Sequence, residues 1–258
     1  MSDLIRNPHH LPPEPIYLPA RGFIIDRRKA LIAAMVCWAA FGAVVWLVTN
    51  DRAGWFDEPG LLAARTGEGR DFAGNALVLE IVRDITALGG VFLRNLFAVG
   101  AVVALLFLRL RREAVLFAMT VALGWMVNTS AKYLVGRERP QIVPHLMEAG
   151  GESFPSGHSF NAAVVYIAMA LAFAAISRRH SVRYTVIAAA MVVSAMVAWS
   201  RVLLGVHFPS DVVAGWLGGA GWAFLAAALL YSPAKAAAEG VQVPSGNETL
   251  NRPRDNGS

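Results

Sequence analysis

One cysteine, Cys37, stands in 258 residues, so no intramolecular disulfide can form and no cysteine metal site can be built. It lies within an apolar run and reads as a small buried thiol. Charge is scarce as well: Asp, Glu, Lys and Arg make up 16% of the chain, where a soluble domain averages about 25%. No carboxylate cluster accompanies the six histidines, so the sequence shows no metal-ligand pattern. His9, His10, His145 and His180 fall in tails or loops. There is no internal repeat and no low-complexity tract beyond the alanines at 236–238.

What the chain has in excess is apolar side chains, 56% of the total. They gather in six stretches, 30–49, 91–108, 113–132, 159–177, 184–203 and 212–231. Each is near the roughly 20 residues that span a hydrocarbon core of about 30 Å. Backbone polar groups in lipid must be paired within the segment, so the stretches are expected to be helices. The predicted fold is an all-α polytopic membrane protein, a bundle of six transmembrane helices. Leu77, Val78, Ile81, Val82, Ile85 and Leu88 share one helical face, which predicts an amphipathic helix at the membrane surface between the first two spans. Gly215 and Gly219 give the last span a small-residue face suited to close helix packing.

The expected domain organisation is a cytoplasmic tail over 1–29, the six-helix domain over 30–231 and a flexible cytoplasmic tail over 232–258. The first tail carries Pro8, Pro12, Pro13, Pro15 and Pro19. Arg27-Arg28-Lys29 then precedes an apolar run about 20 residues long. A cleaved signal peptide has a run nearer 7–15, so the segment reads as an uncleaved anchor. The formal charge of +5 is spread between apolar segments instead of over one face, which argues for topology signals and against a nucleic-acid surface. Basic clusters at 27–29, at Arg109, Arg111 and Arg112, at Arg178, Arg179 and Arg183, and at Lys235 all fall on one side of a six-span chain. The positive-inside rule makes that side cytoplasmic, with both termini there.

The opposite side receives three polar blocks: Lys132 through Arg139-Pro140, Pro155-Ser156-Gly157-His158, and Ser200-Arg201 through His207 to Asp211. Ionisable groups at a membrane are costly and mark function. Lys132, Arg139 and Arg201 suit an oxyanion clamp, two planar forks and one point charge. Ser156 is a good N-cap, and the backbone amides of Gly157 and His158 at a helix start make an anion site. Asp211 on one nitrogen of His207 would fix the tautomer and leave the other nitrogen to react. Arg137 lies inside the first block without being one of its fixed positions, and Glu138 and Glu152 read as solvated loop acids.

The three blocks, K-x6-RP, PSGH and SR-x5-H-x3-D, resemble the signature of the type 2 phosphatidic acid phosphatase family, the lipid phosphate phosphatases. The resemblance extends over about residues 75–231. It implies a hydrolase that acts on membrane lipid phosphates within the bilayer without a cofactor or metal. His207 would be the nucleophile, forming a phosphohistidine, and His158 the acid for the leaving group. Asp211 would orient His207, with Lys132, Arg139, Ser156, Gly157 and Arg201 holding phosphate. It further implies a bacterial inner membrane protein with an outward-facing site. A lipid phosphotransferase would use the same phosphohistidine. A haloperoxidase shares the pocket signature but is not expected with six spans, and a scaffold or transporter would not need the full catalytic set. Oligomeric state leaves no mark on the sequence.

Overall fold

A computed structural model describes residues 26–67, 70–174 and 179–230. The expected tails (apart from 26–29), Arg178, Lys235 and the ends of two expected spans at 175–177 and 231 lie outside the described residues. The elements run α1 (Arg27–Thr49), α2 (Gly54–Leu62), β1 (Arg65–Thr66), β2 (Asp71–Phe72), α3 (Ala76–Leu88), α4 (Val91–Phe107), α5 (Arg111–Val135), α6 (Gly157–Ala174), α7 (His180–Leu203) and α8 (Pro209–Leu230). The strands β1 and β2 form a small antiparallel hairpin that pairs Arg65 with Phe72 and Thr66 with Asp71.

The protein is an all-α membrane bundle. α6 is its centre: 78% of its apolar window is buried, against 11% for α1, which therefore faces lipid along most of its length. The run Ala162 to Ala168 is apolar on every side, as a helix enclosed by others must be. α8 packs on α6 and on α1. Its glycines make this possible. A Cβ at Gly215 would sit 2.6 Å from Ser156 O, and one at Gly219 would collide with Phe160 O. The main core joins Leu105, Phe117, Val165, Ile167, Val197 and Ala220 from α4 to α8.

Five helices, α1, α5, α6, α7 and α8, are each long and apolar enough to cross a membrane. The expected second span differs. α4 has 17 residues, roughly 26 Å at 1.5 Å per residue, which falls short of a core of about 30 Å. It reaches spanning length only together with α3, across a 47° bend. The expected amphipathic helix is α3, which lies between α1 and α4 and joins α4 across that bend. Its apolar residues divide: Val82 is buried against Leu204 and Val206, whereas Leu77, Val78 and Ile81 stay exposed. The bend falls at Gly89 and Gly90, and a Cβ at Gly89 would run into Val197 and reach within 3.3 Å of the His158 ring.

Candidate active site

Antiparallel helices bring the C-terminal ends of α5 and α7 beside the N-terminal ends of α6 and α8. Each polar block occupies one of those ends or the loop attached to it. α5 stops at Gly136, a left-handed residue at φ +61 whose amide bonds Lys132 O at 2.9 Å. That turn releases Arg137 and Arg139 across the mouth of the bundle. Lys132 donates from Nζ to Glu152 O at 2.6 Å. Glu152 is therefore partly buried and tied to the site through its backbone, where a solvated loop acid was expected; Glu138 is exposed as expected.

Arg139 laces the loops together. Nε donates to Gly151 O at 3.0 Å, Nη2 to Gly150 O at 2.8 Å and Nη1 to Val206 O at 2.8 Å. The same Nη1 lies 3.1 Å from His207 Nε2. A guanidinium can only donate, so Nε2 is the accepting nitrogen and the ring proton sits on Nδ1. On that side Nδ1 lies 3.2 Å from Ser153 Oγ and 3.5 Å from Asp211 Oδ2. Ser153 passes its own proton to Asp211 Oδ2 in a short hydrogen bond. The expected His–Asp pair is thus supplemented by a serine that touches both partners.

Asp211 is fully buried and well satisfied. Oδ2 also accepts from Phe208 N at 2.9 Å, and Oδ1 accepts from Arg137 Nη1 at 2.8 Å. The other fork of Arg137 donates to Asp57 Oδ2 at 2.8 Å, and its plane lies over the Phe208 ring at 4.1 Å. Asp57, 1% exposed on α2, in turn accepts from Ser210 N and Oγ at 2.8 and 2.7 Å, capping α8. Arg137 is therefore a support for the carboxylates, spent on protein partners.

His207 is 2% exposed. Burial pushes its imidazole down to about 4, against the opposing pull of Asp211, so the ring is neutral at physiological pH. Burial also lowers the Arg139 guanidinium, which stays charged.

Ser156 accepts from Ser159 N at 3.5 Å at the start of α6, and its own amide is held by Asp211 O at 3.0 Å. A Cβ at Gly157 would approach Asn128 Nδ2 at 3.4 Å and Lys132 Cε at 3.7 Å, so glycine keeps the floor of this cradle low. His158 makes no hydrogen bond among the described residues. The cations that act on it are Arg201, Arg94 and Arg139. Arg201, 2% exposed, donates to Thr86 Oγ1 at 3.1 Å and to Met147 Sδ at 2.8 Å, and leaves Nε without a partner. Lys132 counts Arg139 and Arg201 among its strongest charged neighbours, so the three cations converge.

All eight residues singled out in the sequence thus share one end of the bundle. Asp57, Ser153, Thr86 and Arg94 join them without any sequence signal of their own. No group of three or more His, Cys, Asp or Glu able to hold a metal occurs among the described residues.

The model of the PAP2 superfamily matches residues 113–234. Phosphatidylglycerophosphatase B of Bacillus subtilis is 34% identical over 144 residues, which cover 53% of this chain and 67% of that protein. Lipid A 1-phosphatase of Rhizobium etli is 35% identical over 128 residues, 46% of this chain and 50% of that protein. The crystal structure of the transmembrane PAP2-type phosphatidylglycerolphosphate phosphatase from Bacillus subtilis superimposes with a TM-score of 0.68 at 27% identity, over 75% of this chain and 93% of that one. With the motifs, the bundle and these likenesses in agreement, the chain belongs to the PAP2 superfamily, among its membrane-embedded phosphatases.

Proposed function

We propose that the protein hydrolyses lipid phosphates or diphosphates through a phosphohistidine on His207, at the outer face of a bacterial inner membrane. The observation that carries this reading is the tautomer of His207. Nδ1 holds the proton toward Ser153 and Asp211, and Nε2 keeps a lone pair beside Arg139. A neutral, oriented imidazole next to a cation suits attack on phosphorus.

Nε2 forms the P–N bond while the P–O bond to the lipid breaks, and His158 gives its proton to the departing oxygen. Water then attacks the phosphohistidine as His158 takes a proton back, and inorganic phosphate leaves with His207 restored. Charge on the equatorial oxygens is met by Lys132, Arg139, Arg201 and the amides at the start of α6, so the reaction rests on positioning and charge stabilisation instead of on a metal ion. Polyprenyl diphosphates, phosphatidylglycerol phosphate and phosphatidic acid all present such a headgroup, with tails that stay in the bilayer and reach the site sideways between helices.

The basic residues at the starts of α1, α5 and α7 sit at the end of the bundle away from the site, which supports a cytoplasmic placement for them and an outward one for the chemistry.

Enzyme quenched during turnover of a lipid labelled on the transferring phosphate should carry an acid-labile label on His207. His207→Ala should be folded, unlabelled and inactive. Label on a serine or an aspartate would refute the mechanism.

A further inference from the structure

The proposed reaction leaves a buried cation beside the site unused. Arg94 lies in the first turn of α4, just past the Gly89–Gly90 bend, and is 7% exposed. A charge held on a membrane-spanning segment is costly and marks a functional contact. Among the described residues its side chain makes one hydrogen bond, from Nη1 to Gly89 O at 3.2 Å. Nε and Nη2 have no hydrogen-bond partner, and no carboxylate pairs with Arg94 among the described residues.

Gly89 is also the residue against which His158 packs, since a Cβ there would lie 3.3 Å from His158 Cδ2 and 3.4 Å from its Cβ. Arg94 and His158 therefore meet at the same glycine. The charge of Arg94 acts on His158, as do those of Arg201 and Arg139. If His158 protonates the leaving oxygen, Arg94 stands on the leaving-group side of the bond that breaks, away from the clamp on the transferring phosphate.

We propose that Arg94 binds a second phosphate carried by the leaving group. That phosphate would be the one remaining on a lipid diphosphate or the phosphodiester of phosphatidylglycerol phosphate. A guanidinium fork matches two phosphate oxygens, and pairing relieves a cation that the fold leaves half engaged. Phosphatidic acid offers nothing at this position, so Arg94 makes the site selective for doubly phosphorylated lipids. The inference rests on His158 acting as the acid.

The test uses the purified full chain in mixed micelles with undecaprenyl diphosphate, phosphatidylglycerol phosphate and phosphatidic acid. Arg94→Gln should lower kcat/KM about 10- to 100-fold on one or both doubly phosphorylated lipids, the range of a charge-assisted hydrogen bond. The loss on phosphatidic acid should be at least about tenfold smaller. Which of the two lipids suffers tells whether the second phosphate is adjacent or a glycerol away. Arg94→Lys, which keeps the charge and gives up the fork, should move selectivity the same way by a smaller factor, and it carries the test if the Gln variant does not fold. Equal losses on all three lipids would make Arg94 a fold contact that caps α3, and an unchanged selectivity ratio in both variants would likewise overturn the proposal. Wild-type protein that cleaves phosphatidic acid alone also overturns it. Inactivity of the wild type on all three would instead sink the phosphatase reading beneath it.

Discussion

Asp57 is the most severe test of how the site is held, because it touches no reacting group. It is 1% exposed and accepts three hydrogen bonds of 2.7–2.8 Å, from Arg137 Nη2, Ser210 N and Ser210 Oγ. Asp57→Asn keeps the shape and removes the charge. One amide oxygen can still accept from Ser210, but the amide nitrogen is a donor and would face another donor on Arg137. A hydrogen bond to a charged group is worth about 1.5–3 kcal/mol, and losing one partner of a buried pair costs about 3–5 kcal/mol. Arg137 is 21% exposed, so water recovers part of this, and a destabilisation of about 2–3 kcal/mol is expected. That corresponds to a fall of roughly 4–12 °C in the unfolding midpoint for a chain of this size. Released from Asp57, Arg137 keeps only Asp211 and Ser210 Oγ, both through Nη1, and the start of α8 loses its cap, so His207 is less well oriented. kcat should drop about tenfold, one misplaced hydrogen bond's worth. KM should stay within about twofold, because uniform binding through Lys132, Arg139 and Arg201 is left intact. Thermal unfolding in detergent and steady-state kinetics on one lipid phosphate give both numbers. A variant with the wild-type midpoint and wild-type kcat would refute the support role, and a rise in KM with kcat intact would reassign Asp57 to substrate binding.

Three further outcomes are expected. The His207 imidazole drops from 6.5 to about 4 on folding, so the unfolded chain takes up a proton first as pH falls. Stability should be full above pH 6.5 and decline toward pH 4 by about 3 kcal/mol, a slope that His207→Gln should lack; parallel wild-type and variant curves in thermal melts at several pH values would refute the burial argument. His158→Ala should lose about 100-fold or more on lipid substrates and far less on an aryl phosphate whose leaving group needs no proton, and equal losses would remove His158 from the acid role. In a Cys37→Ser background, an impermeant thiol reagent on intact cells should label Gly150→Cys and spare Ser181→Cys, both being exposed positions, and the reverse pattern would move the chemistry to the cytoplasmic leaflet.

The spans were legible because membrane burial imposes a length and a composition on contiguous residues. Five of the six expected segments are single helices of spanning length. The other, 91–108, is α4, which reaches spanning length only with α3, and the bend between them at Gly89 and Gly90, packed against Val197 and His158, left no periodicity to read. α2 and the β1–β2 hairpin were hidden for a different reason. Gly54–Leu62 is short and contains Pro59, so no periodicity marks it as a helix. What fixes it is Asp57 reaching Ser210 and Arg137, partners 153 and 80 residues away.

The separation between the blocks records the architecture. His158 opens α6 and Ser200 lies near the end of α7, 42 residues later, which is two spans of about 20 residues and a turn. A chain that leaves one membrane face and returns to it must place those residues at the same end. Lys132 and His158 flank the loop between α5 and α6, and Arg201 and Asp211 flank the one between α7 and α8, which holds His207. That the blocks gather at one end of the bundle was therefore readable from motif order together with span length. Asp57, Ser153 and Arg94 were not, since each owes its place at the site to contacts with residues distant in sequence or to a bend that only packing reveals. Arg94 shows the limit most clearly. In sequence it is one charge near the start of an apolar run, which snorkelling would explain. Only the bend at Gly89, which turns α4 in beside His158, brings that charge to the site, and the proposed contact with a second phosphate rests on it.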